Sequence, residues 1–377
     1  MNESLLEKRP HCQAAKAANG QVKWLAFSFL AVVLIAIICV SRFSNTPAAT
    51  QADVGGDDGF LNWDKENTKS QTADTDLRRG FAYSEKGQYG LAIANYTKVI
   101  ENNPMWAEAY FHRGVAYFKK EQNVSAISDF TKAIETNPRY VEAHYNRGVV
   151  YGIEGSYALA ISDYTKAIEI NPSYVKAYIN RGRAYSWKDQ NVLAISDYTK
   201  VIEINASYAD AYVLRGDEYW RAGVNNLAIS DFTKAIEISP SCADAYCLRG
   251  VVYFNEGANA LAISDCTKAI EINPHRREAG LAHCVRGRAY CEEGAHDLAI
   301  SDFTRAIEIY PRNGHAYYQR GWAYAKKDEV EKAWEDVHRA QSMGYSTPDK
   351  LVERYLELTQ EKMKLERGSL RQNDSWK

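Results

Sequence analysis

The 377-residue sequence lacks an excess of charge of either sign. Its 46 lysines and arginines nearly balance 48 aspartates and glutamates, so the formal net charge at neutral pH is −2. Proteins that bind nucleic acid ordinarily carry a basic excess that neutralises phosphates. The composition therefore argues against nucleic acid as a partner.

The sequence also lacks the short motifs of the common enzyme classes. It contains no phosphate-binding loop, nucleophile elbow, zinc-protease helix or dinucleotide fingerprint. Its many acidic residues recur at fixed places of a repeated pattern, which indicates a solvated or paired face rather than a catalytic pair of carboxylates. We therefore predict no enzymatic activity, no catalytic residues and no cofactor.

Cysteine is present, but not in a pattern typical of disulfides or metal sites. The seven cysteines cannot all pair within the chain because their number is odd. Cys284 and Cys291 lie two helical turns apart, roughly 10 Å, which is too far for a disulfide bond. No cysteine and histidine spacing matches a zinc knuckle or ribbon. We predict buried or free thiols and no metal site, with the redox state left open.

What the sequence does contain is one phrase that recurs along most of its length. Near copies of AISDYTKAIEINP, residues 160–172, begin at positions 92, 126, 194, 228, 262 and 299, in steps of 34 residues and once 37. An Arg-Gly pair follows the same steps, with its arginines at Arg79, Arg113, Arg147, Arg181, Arg215, Arg249, Arg286 and Arg320. Repeats of this period predict a solenoid, so residues 73–346 are predicted to form one elongated domain of eight units.

Each unit is predicted to be a helical hairpin. Within 160–170 the apolar residues recur at i, i+1, i+4, i+7 and i+8, which is one stripe of an α-helix. Earlier in the same unit, His144, Gly148 and Tyr151 share one face of another helix. Gly155 separates the two helices at a turn, where glycine adopts a left-handed conformation at the lowest cost. Other units have Gly87, Gly223, Gly257 and Gly294 at this place.

This pattern resembles that of the tetratricopeptide repeat family. The family has a large residue, a glycine, an aromatic, an alanine, an aromatic, an alanine and a proline at set places. In the third unit these are His144, Gly148, Tyr151, Ala160, Tyr164, Ala167 and Pro172. The departures are few: Ala206 replaces a proline, Cys266 replaces a core aromatic, and three extra residues lengthen the start of the seventh unit. The resemblance implies an all-α fold, a right-handed α-solenoid of eight helix-turn-helix units.

An arginine stands before the repeat glycine in every unit, where the family usually has an apolar residue. A guanidinium at a half-buried place requires a partner. In units two to eight an aspartate follows sixteen residues later, as Asp197 follows Arg181, whereas the first unit has Asn95. We predict that each arginine pairs with the aspartate of its own unit between the two helices. The alternative is a charged ladder that binds an acidic ligand.

The resemblance also implies a concave groove lined by the first helix of each unit, where partner peptides of this family usually lie. Transferring the groove-facing places residue by residue gives a set of ligand-binding residues. These are Phe111, Phe118, Tyr145, Ile179, Arg183, Trp187, Asp217, Trp220, Phe254, Arg288, Tyr318 and Trp322. Such a surface, largely aromatic and aliphatic, suits a partner helix or an extended peptide with apolar anchors.

The N-terminal segment has a different composition. Residues 22–40, VKWLAFSFLAVVLIAIICV, carry a single charge at Lys23. Nineteen helical residues span roughly 28 Å, enough for the hydrocarbon core of a bilayer, so a single-pass transmembrane helix is predicted. Basic residues precede it and only Arg42 follows closely, which predicts that residues 1–21 form a cytoplasmic tail and that the repeats lie on the outer, periplasmic side. A cleaved signal peptide is the alternative.

The remaining segments flank the repeats. Residues 41–72 are polar and small with no sustained apolar period, and are predicted to be a flexible linker. Residues 347–367 begin with Thr347 as an N-cap and Pro348 at the first helical position, and are predicted to be a C-terminal capping helix. Residues 368–377 are predicted to be a disordered tail.

These observations predict a membrane-anchored scaffold or adaptor that binds proteins or peptides in its concave groove. The alternative is a polysaccharide-binding or export accessory component of the cell envelope, in which Trp187, Trp220 and Trp322 stack on sugar rings. A spacing element with no groove ligand is a third hypothesis. The identity of the partner and self-association of the repeats are left open by the sequence.

Overall fold

The computed structural model describes residues 68–274, 277–345 and 357. In this part of the chain the fold is all-α, with sixteen helices and no strand. The helices are α1 (Thr68–Glu85), α2 (Tyr89–Asn102), α3 (Ala107–Lys119), α4 (Asn123–Thr136), α5 (Val141–Ile153), α6 (Tyr157–Ile170), α7 (Val175–Trp187), α8 (Asn191–Ile204), α9 (Ala209–Arg221), α10 (Asn225–Ile238), α11 (Ala243–Asn255), α12 (Asn259–Ile272), α13 (Arg277–Glu292), α14 (His296–Ile309), α15 (Gly314–Lys326) and α16 (Val330–Ser342).

The helices follow one another as eight hairpins, from α1–α2 to α15–α16, which confirms the predicted helix-turn-helix units. Odd-numbered helices are the first helices of their hairpins, and even-numbered helices are the second. The first helix of the seventh hairpin, α13, has 16 residues, whereas α11 and α15 have 13. The three extra residues of the sequence are therefore accommodated by a longer helix.

The described residues belong to two compact units, one ending at Ala245 and the other beginning at Tyr246. Each unit is a stack of hairpins. In the first unit, first helices of neighbouring hairpins contact each other, as α3 does α5 and α5 does α7. In the second unit, α13 contacts α15 in the same way. The first helices therefore lie side by side along one side of each stack. We call this the inner side, because the groove was predicted on the first helices.

The core consists of the framework residues that the repeated phrase predicts. Ala160 and Ala167 are completely buried, and Tyr164 retains 2% of its surface. The repeat glycine is required by this packing, because a Cβ on Gly182 would lie 2.6 Å from the Tyr198 ring. A helix can approach the aromatic residue of its partner this closely only where it has no side chain.

The turns of the hairpins require a left-handed residue. Gly87, Gly155, Gly223, Gly257 and Gly294 have φ between 71° and 76°, as predicted. The residues that take this place in the second, fourth and eighth hairpins were not predicted from the sequence. These are Glu121, Asp189 and Asp328, with φ between 55° and 60°. A residue with a Cβ is strained in this conformation, so these three turns are less favourable than those with glycine.

The predicted pairing of arginine with aspartate is confirmed. Nε and Nη2 of Arg181 donate to the two carboxylate oxygens of Asp197 at 2.9 and 2.7 Å. Tyr178 and Tyr185 flank the guanidinium, with their ring centroids 5.6 and 5.9 Å from Cζ. The same bidentate pairing joins Arg113 to Asp129, Arg147 to Asp163, Arg215 to Asp231, Arg249 to Asp265, Arg286 to Asp302 and Arg320 to Asp336.

The arginine has a further partner that the sequence analysis did not predict. Nη1 of Arg181 donates to Oγ1 of Thr165, on the second helix of the preceding hairpin, at 3.0 Å. The guanidinium therefore joins three helices, α6, α7 and α8. In the first hairpin Asn95 instead donates to its own helix at Leu91, and Arg79 remains 64% exposed. The arginine thus stabilises the stacking of hairpins as well as the hairpin itself.

Several predicted segments lie outside the described residues. These are the tail 1–21, the transmembrane helix 22–40, the tail 368–377, and the capping helix 347–367 except for Glu357, which is helical. Helix α1 begins at Thr68, so the last five residues of the predicted linker 41–72 are helical. The polar sequence TKSQT has no apolar period, which is why the pattern placed the boundary too late. No helix of the described part is long and apolar enough to span a membrane.

Candidate functional site

The twelve residues predicted to line a groove all lie on first helices, from α3 to α15. Ten of them are half-buried, and Ile179 and Tyr318 are buried, each with 7% of its surface accessible. The inner side of each stack is therefore lined by partly accessible side chains, several of which also pack against neighbouring hairpins.

Phe111 and Tyr145 are covered by aromatic residues of the next hairpin. The Phe111 ring lies 4.9 Å from that of Tyr140, and the Tyr145 ring lies 5.2 Å from that of Tyr174. The Tyr145 hydroxyl also accepts a hydrogen bond from Nδ2 of Asn180 at 2.8 Å. Burial raises the pKa of Tyr145 to about 12. These two residues hold neighbouring hairpins together.

Phe118 and Ile179 also have packing roles. Phe118 packs against a buried cluster that includes Phe130, and Ile179 belongs to the same core cluster as Tyr164. The structure thus places the two buried residues, Ile179 and Tyr318, in the core, where little of their surface is available to a ligand. Some residues at the groove-facing places of the family are therefore buried in this chain.

Two half-buried tryptophans of the first compact unit lie at the ends of α7 and α9. Trp187 stacks on Tyr157, with ring centroids 5.9 Å apart and an interplanar angle of 5°. Trp220 is half-buried on the next first helix, and Arg183 is half-buried one turn before Trp187. This part of the inner side therefore combines two indole rings with a cation.

A polar cluster joins α7 to α9 beside these tryptophans. Nε of Arg221 lies 3.3 Å from Oδ2 of Asp217, and Nη1 lies 3.5 Å from Oγ of Ser186. Glu218 has only 2% of its surface accessible and accepts a hydrogen bond from Ser186. Burial raises the pKa of Glu218 to about 7, and the negative charges of Asp217 and Asp189 act in the same direction. We call Ser186, Asp217, Glu218 and Arg221 the α7–α9 polar cluster.

Glu218 occupies a place that is apolar in the other hairpins. The residue two positions after the repeat glycine is Ala116, Val150, Ala184, Val252, Ala289 or Ala323 in the second to fourth and sixth to eighth hairpins, and each is buried. Asp217 was predicted from the sequence as a groove residue, whereas Glu218, Ser186 and Arg221 were not. Comparing this one place across the units would have identified Glu218, because a charge at a core place is an exception to the framework.

In the second compact unit, which begins at Tyr246, the predicted residues Phe254 and Arg288 contact each other. The Arg288 guanidinium lies over the Phe254 ring, with Cζ 4.3 Å from the centroid. Burial lowers the pKa of Arg288 to about 10, so its side chain stays charged at neutral pH. His315, on the next first helix, is neutral, because burial and the positive charge of Arg288 lower its pKa to about 3.

The last two predicted residues lie on α15. The Tyr318 ring lies 5.5 Å from that of Tyr345, and Nζ of Lys326 lies 4.5 Å from the Trp322 ring. Trp322 is half-buried, like Trp187 and Trp220. Phe254 and Arg288 are thus two predicted residues that the structure brings into contact, and Trp187 and Trp220 lie near the ends of the first helices of consecutive hairpins.

The described residues contain no group of three or more His, Cys, Asp or Glu side chains that could hold a metal ion. The five cysteines in this part of the chain, Cys242, Cys247, Cys266, Cys284 and Cys291, are free thiols. Burial raises the pKa of Cys284 to about 12, which keeps it protonated and a poor nucleophile. What these side chains can supply is contact area, hydrogen bonds and charge.

Sequence comparison identifies the repeat. Models of the tetratricopeptide repeat match residues 107–140, 141–174, 209–242, 243–276, 282–313 and 303–335, and a model described as TPR repeat matches residues 80–121. Together these matches cover more than half of the chain. No curated protein matches this sequence.

Solved structures share the fold. A tetratricopeptide repeat protein from Parabacteroides merdae is 19% identical with a TM-score of 0.53, and the match covers 67% of this chain and 99% of that one. The C-terminal part of a TPR repeat-containing protein from Cytophaga hutchinsonii is 19% identical with a TM-score of 0.54, covering 64% and 98%. The APC/C hetero-tetramer Cut9-Hcn1 is 16% identical with a TM-score of 0.53, covering 78% and 57%.

At these identities the similarity concerns the fold alone, and the fold is consistent with protein–protein interaction. The repeated hairpins, their framework residues and the matches to the repeat models agree with one another. The chain belongs to the tetratricopeptide repeat family.

Proposed function

We propose that the chain is a membrane-anchored scaffold that binds a protein or peptide segment on the inner side of its first unit, around Trp187 and Trp220. The observation that carries this proposal is the pair of half-buried indole rings on neighbouring first helices, beside the α7–α9 polar cluster. Tryptophan anchors are frequent hot spots, because they provide a large contact area at a small entropic cost.

The chemistry of this surface favours a segment with apolar anchors and a polar group. The two indoles accept apolar side chains, while Arg183 and Asp217 lie on the same helices and can bond to a backbone or a charged side chain of the partner. Elsewhere in the unit, aromatic residues such as Phe111 and Tyr145 are already engaged by the next hairpin. Binding is therefore expected to concentrate at α7 and α9 rather than along the whole stack.

Membrane anchoring is the part of the proposal that rests on sequence. The apolar segment 22–40 is long enough for a bilayer, and the basic residues before it favour a cytoplasmic N-terminus with the repeats outside. The N-terminal sequence of the mature protein decides between an anchor and a cleaved signal, because a signal peptide would be missing from it.

The test of binding is crosslinking of the full chain in its native membrane, followed by mass spectrometry. A Trp187→Ala, Trp220→Ala variant is expected to lose at least about 1 kcal/mol of binding free energy per anchor, and so lose the crosslinked partner. The matched control is Met105→Ala, Val124→Ala, which removes two residues that are 73% and 84% exposed and lie outside α7 and α9. A partner retained by the tryptophan variant, shown to be folded, would place recognition elsewhere.

A further inference from the structure

Three asparagines of the described residues begin the triplet Asn-X-Ser or Asn-X-Thr, in which X is any residue except proline. They are Asn95, Asn123 and Asn205, and two more, Asn2 and Asn373, lie outside the described residues. This triplet is the acceptor motif for N-linked glycans on chains that are exposed outside the cytoplasm. The structure gives the three asparagines different environments, so it distinguishes one accessible acceptor from two that are not accessible.

The triplets at Asn95 and Asn123 lie within helices. Asn95 retains 9% of its surface, and its Nδ2 donates to the carbonyl oxygen of Leu91 at 2.8 Å. Asn123 is half-buried on α4, and its Nδ2 donates to Oε1 of Glu154. Residues two apart in a helix do not face each other, so the asparagine and the hydroxyl residue of each triplet lie on different sides. A transferase must contact both residues together, which the helical conformation prevents.

The third triplet, formed by Asn205, Ala206 and Ser207, lies in the loop between the fourth and fifth hairpins. All three residues are exposed. The backbone N–H of Ser207 donates to Oδ1 of Asn205 at 3.0 Å, so the asparagine side chain is folded toward the hydroxyl residue of its own triplet. Within the described part of the chain, Nδ2 of Asn205 donates to no group. The nitrogen that would accept a glycan is therefore exposed and not engaged.

Asn205 begins an acceptor triplet because one proline of the repeat is replaced. The loop after the third hairpin, residues 171–173, reads Asn-Pro-Ser. It has the same hydrogen bond, from the backbone N–H of Ser173 to Oδ1 of Asn171 at 3.0 Å. Proline in the middle of the triplet excludes this loop as an acceptor. After the fourth hairpin Ala206 stands in place of the proline, and ψ of the asparagine is 95° there and 94° in the earlier loop. The loop thus keeps its conformation and becomes an acceptor.

We propose that Asn205 carries an N-linked glycan. In the transfer, a bond forms between Nδ2 of Asn205 and C1 of the first sugar of a glycan that is carried on a lipid diphosphate. The bond from C1 to the diphosphate oxygen breaks, the lipid diphosphate leaves with that electron pair, and Nδ2 loses one proton. The inference rests on the topology of the proposed function, because the repeats must lie outside the cytoplasm to meet the donor and its transferase.

A glycan at Asn205 leaves the proposed binding surface accessible. Asn205 precedes α9, whereas Trp220 lies near the other end of that helix. Eleven residues separate Trp220 from Ala209, the first residue of α9, which corresponds to about 17 Å along the helix. Glycosylation and partner binding are therefore expected to be independent.

The experiment is glycopeptide mass spectrometry of the full chain isolated from its native membrane. Trypsin releases residues 201–215, in which Asn205 is the only asparagine. We expect this peptide to carry the mass of a glycan and to yield sugar fragment ions, while the peptides that contain Asn95 and Asn123 are unmodified. An unmodified Asn205, or equal occupancy at Asn95 or Asn123, would overturn the proposal.

Two variants test the role of the proline. Ala206→Pro is expected to reduce occupancy at Asn205 by at least about tenfold, because proline in the middle excludes the triplet. The backbone conformation before this residue already matches the one before Pro172, so the fold should be retained. The matched change Pro172→Ala should create a second acceptor, with a glycan at Asn171. Unchanged occupancy in Ala206→Pro, or no glycan at Asn171 in a folded Pro172→Ala chain, would contradict the selection of the acceptor by this loop.

A labelling experiment separates this proposal from the proposed function. A membrane-impermeant amine reagent applied outside the sealed membrane should modify Lys188, which is exposed. If Lys188 is labelled and Asn205 is unmodified, the glycan proposal fails while the topology stands. If Lys188 is not labelled, the topology fails and the glycan proposal fails with it. The Ala206→Pro chain should retain the crosslinked partner that the tryptophan variant loses.

Discussion

Replacing Glu218 tests how the α7–α9 polar cluster affects stability as the pH changes. In the folded chain, burial raises the pKa of Glu218 from 4.5 to about 7. Below pH 4.5 both the folded and the unfolded chain hold the proton, so this group does not change the stability. Between 4.5 and about 7 the folded state binds the proton more strongly than the unfolded state does, so the free energy of unfolding falls as the pH rises.

The size of the effect follows from the same two pKa values. The difference between a pKa of 4.5 in the unfolded chain and about 7 in the folded chain lowers the free energy of unfolding by about 3 kcal/mol. This loss is complete above neutral pH. Arg221 and the hydrogen bond from Ser186 oppose this loss, whereas Asp217 and Asp189 increase it. Glu218→Gln keeps the shape of the side chain and cannot ionise, so its stability should not contain this pH-dependent contribution.

The assay compares thermal unfolding of the wild-type chain and Glu218→Gln between pH 5 and pH 8. We expect the variant to gain stability relative to the wild type as the pH rises, by up to about 3 kcal/mol, with the change centred between pH 5 and 7. Glu218→Ala, which introduces the residue found at this place in five other hairpins, should behave in the same way. A difference between variant and wild type that is constant over this range would refute the reasoning. So would a carboxyl resonance of Glu218 that titrates near 4.5.

The remaining predictions concern the arginine–aspartate pairs and the turns between the helices of a hairpin. Arg181→Ala leaves the Asp197 side chain, which is 5% accessible, without its bidentate partner, and should lower the free energy of unfolding by about 3 kcal/mol. Urea denaturation measures this change, and an unaltered midpoint of unfolding would contradict a structural role for the arginine–aspartate pairs. Glu121→Gly removes a side chain from a turn residue with φ of 60° and should raise stability by about 0.5–1 kcal/mol. The reverse change at a matched turn, Gly155→Ala, should lower it, and a Glu121→Gly variant that is less stable than the wild type would contradict the assigned strain.

The hairpins and their internal pairing could be predicted because their signals are local in the chain or recur with a nearly constant period. The apolar stripe of Ala160 and Tyr164 indicates a helix within a dozen residues, and Gly155 marks the turn that precedes it. A constant separation of sixteen residues links Arg181 to Asp197 in one hairpin. The structure confirms each of these predictions, because a hairpin brings residues this close in sequence into contact whatever its neighbours do.

The groove was predicted less completely, because accessibility depends on side chains of other hairpins. Tyr140 and Tyr174 cover Phe111 and Tyr145 from the next hairpin along the chain. Which family places remain accessible therefore depends on how large the neighbouring residues are. The bond from Arg181 to Thr165 of the preceding hairpin was missed for the same reason.

The sequence by itself determined the repeat, the all-α hairpins, their turns and the pairing of arginine with aspartate. Periodicity and short-range spacing encode these features directly. The tertiary structure decided that Ile179 belongs to the core, that Glu218 is a buried acid, and that Leu159 on a second helix is exposed. The physical reason is that burial is set by the packing of one hairpin on the next. Two residues with the same place in the repeat can then differ in environment, because the side chains opposite them differ.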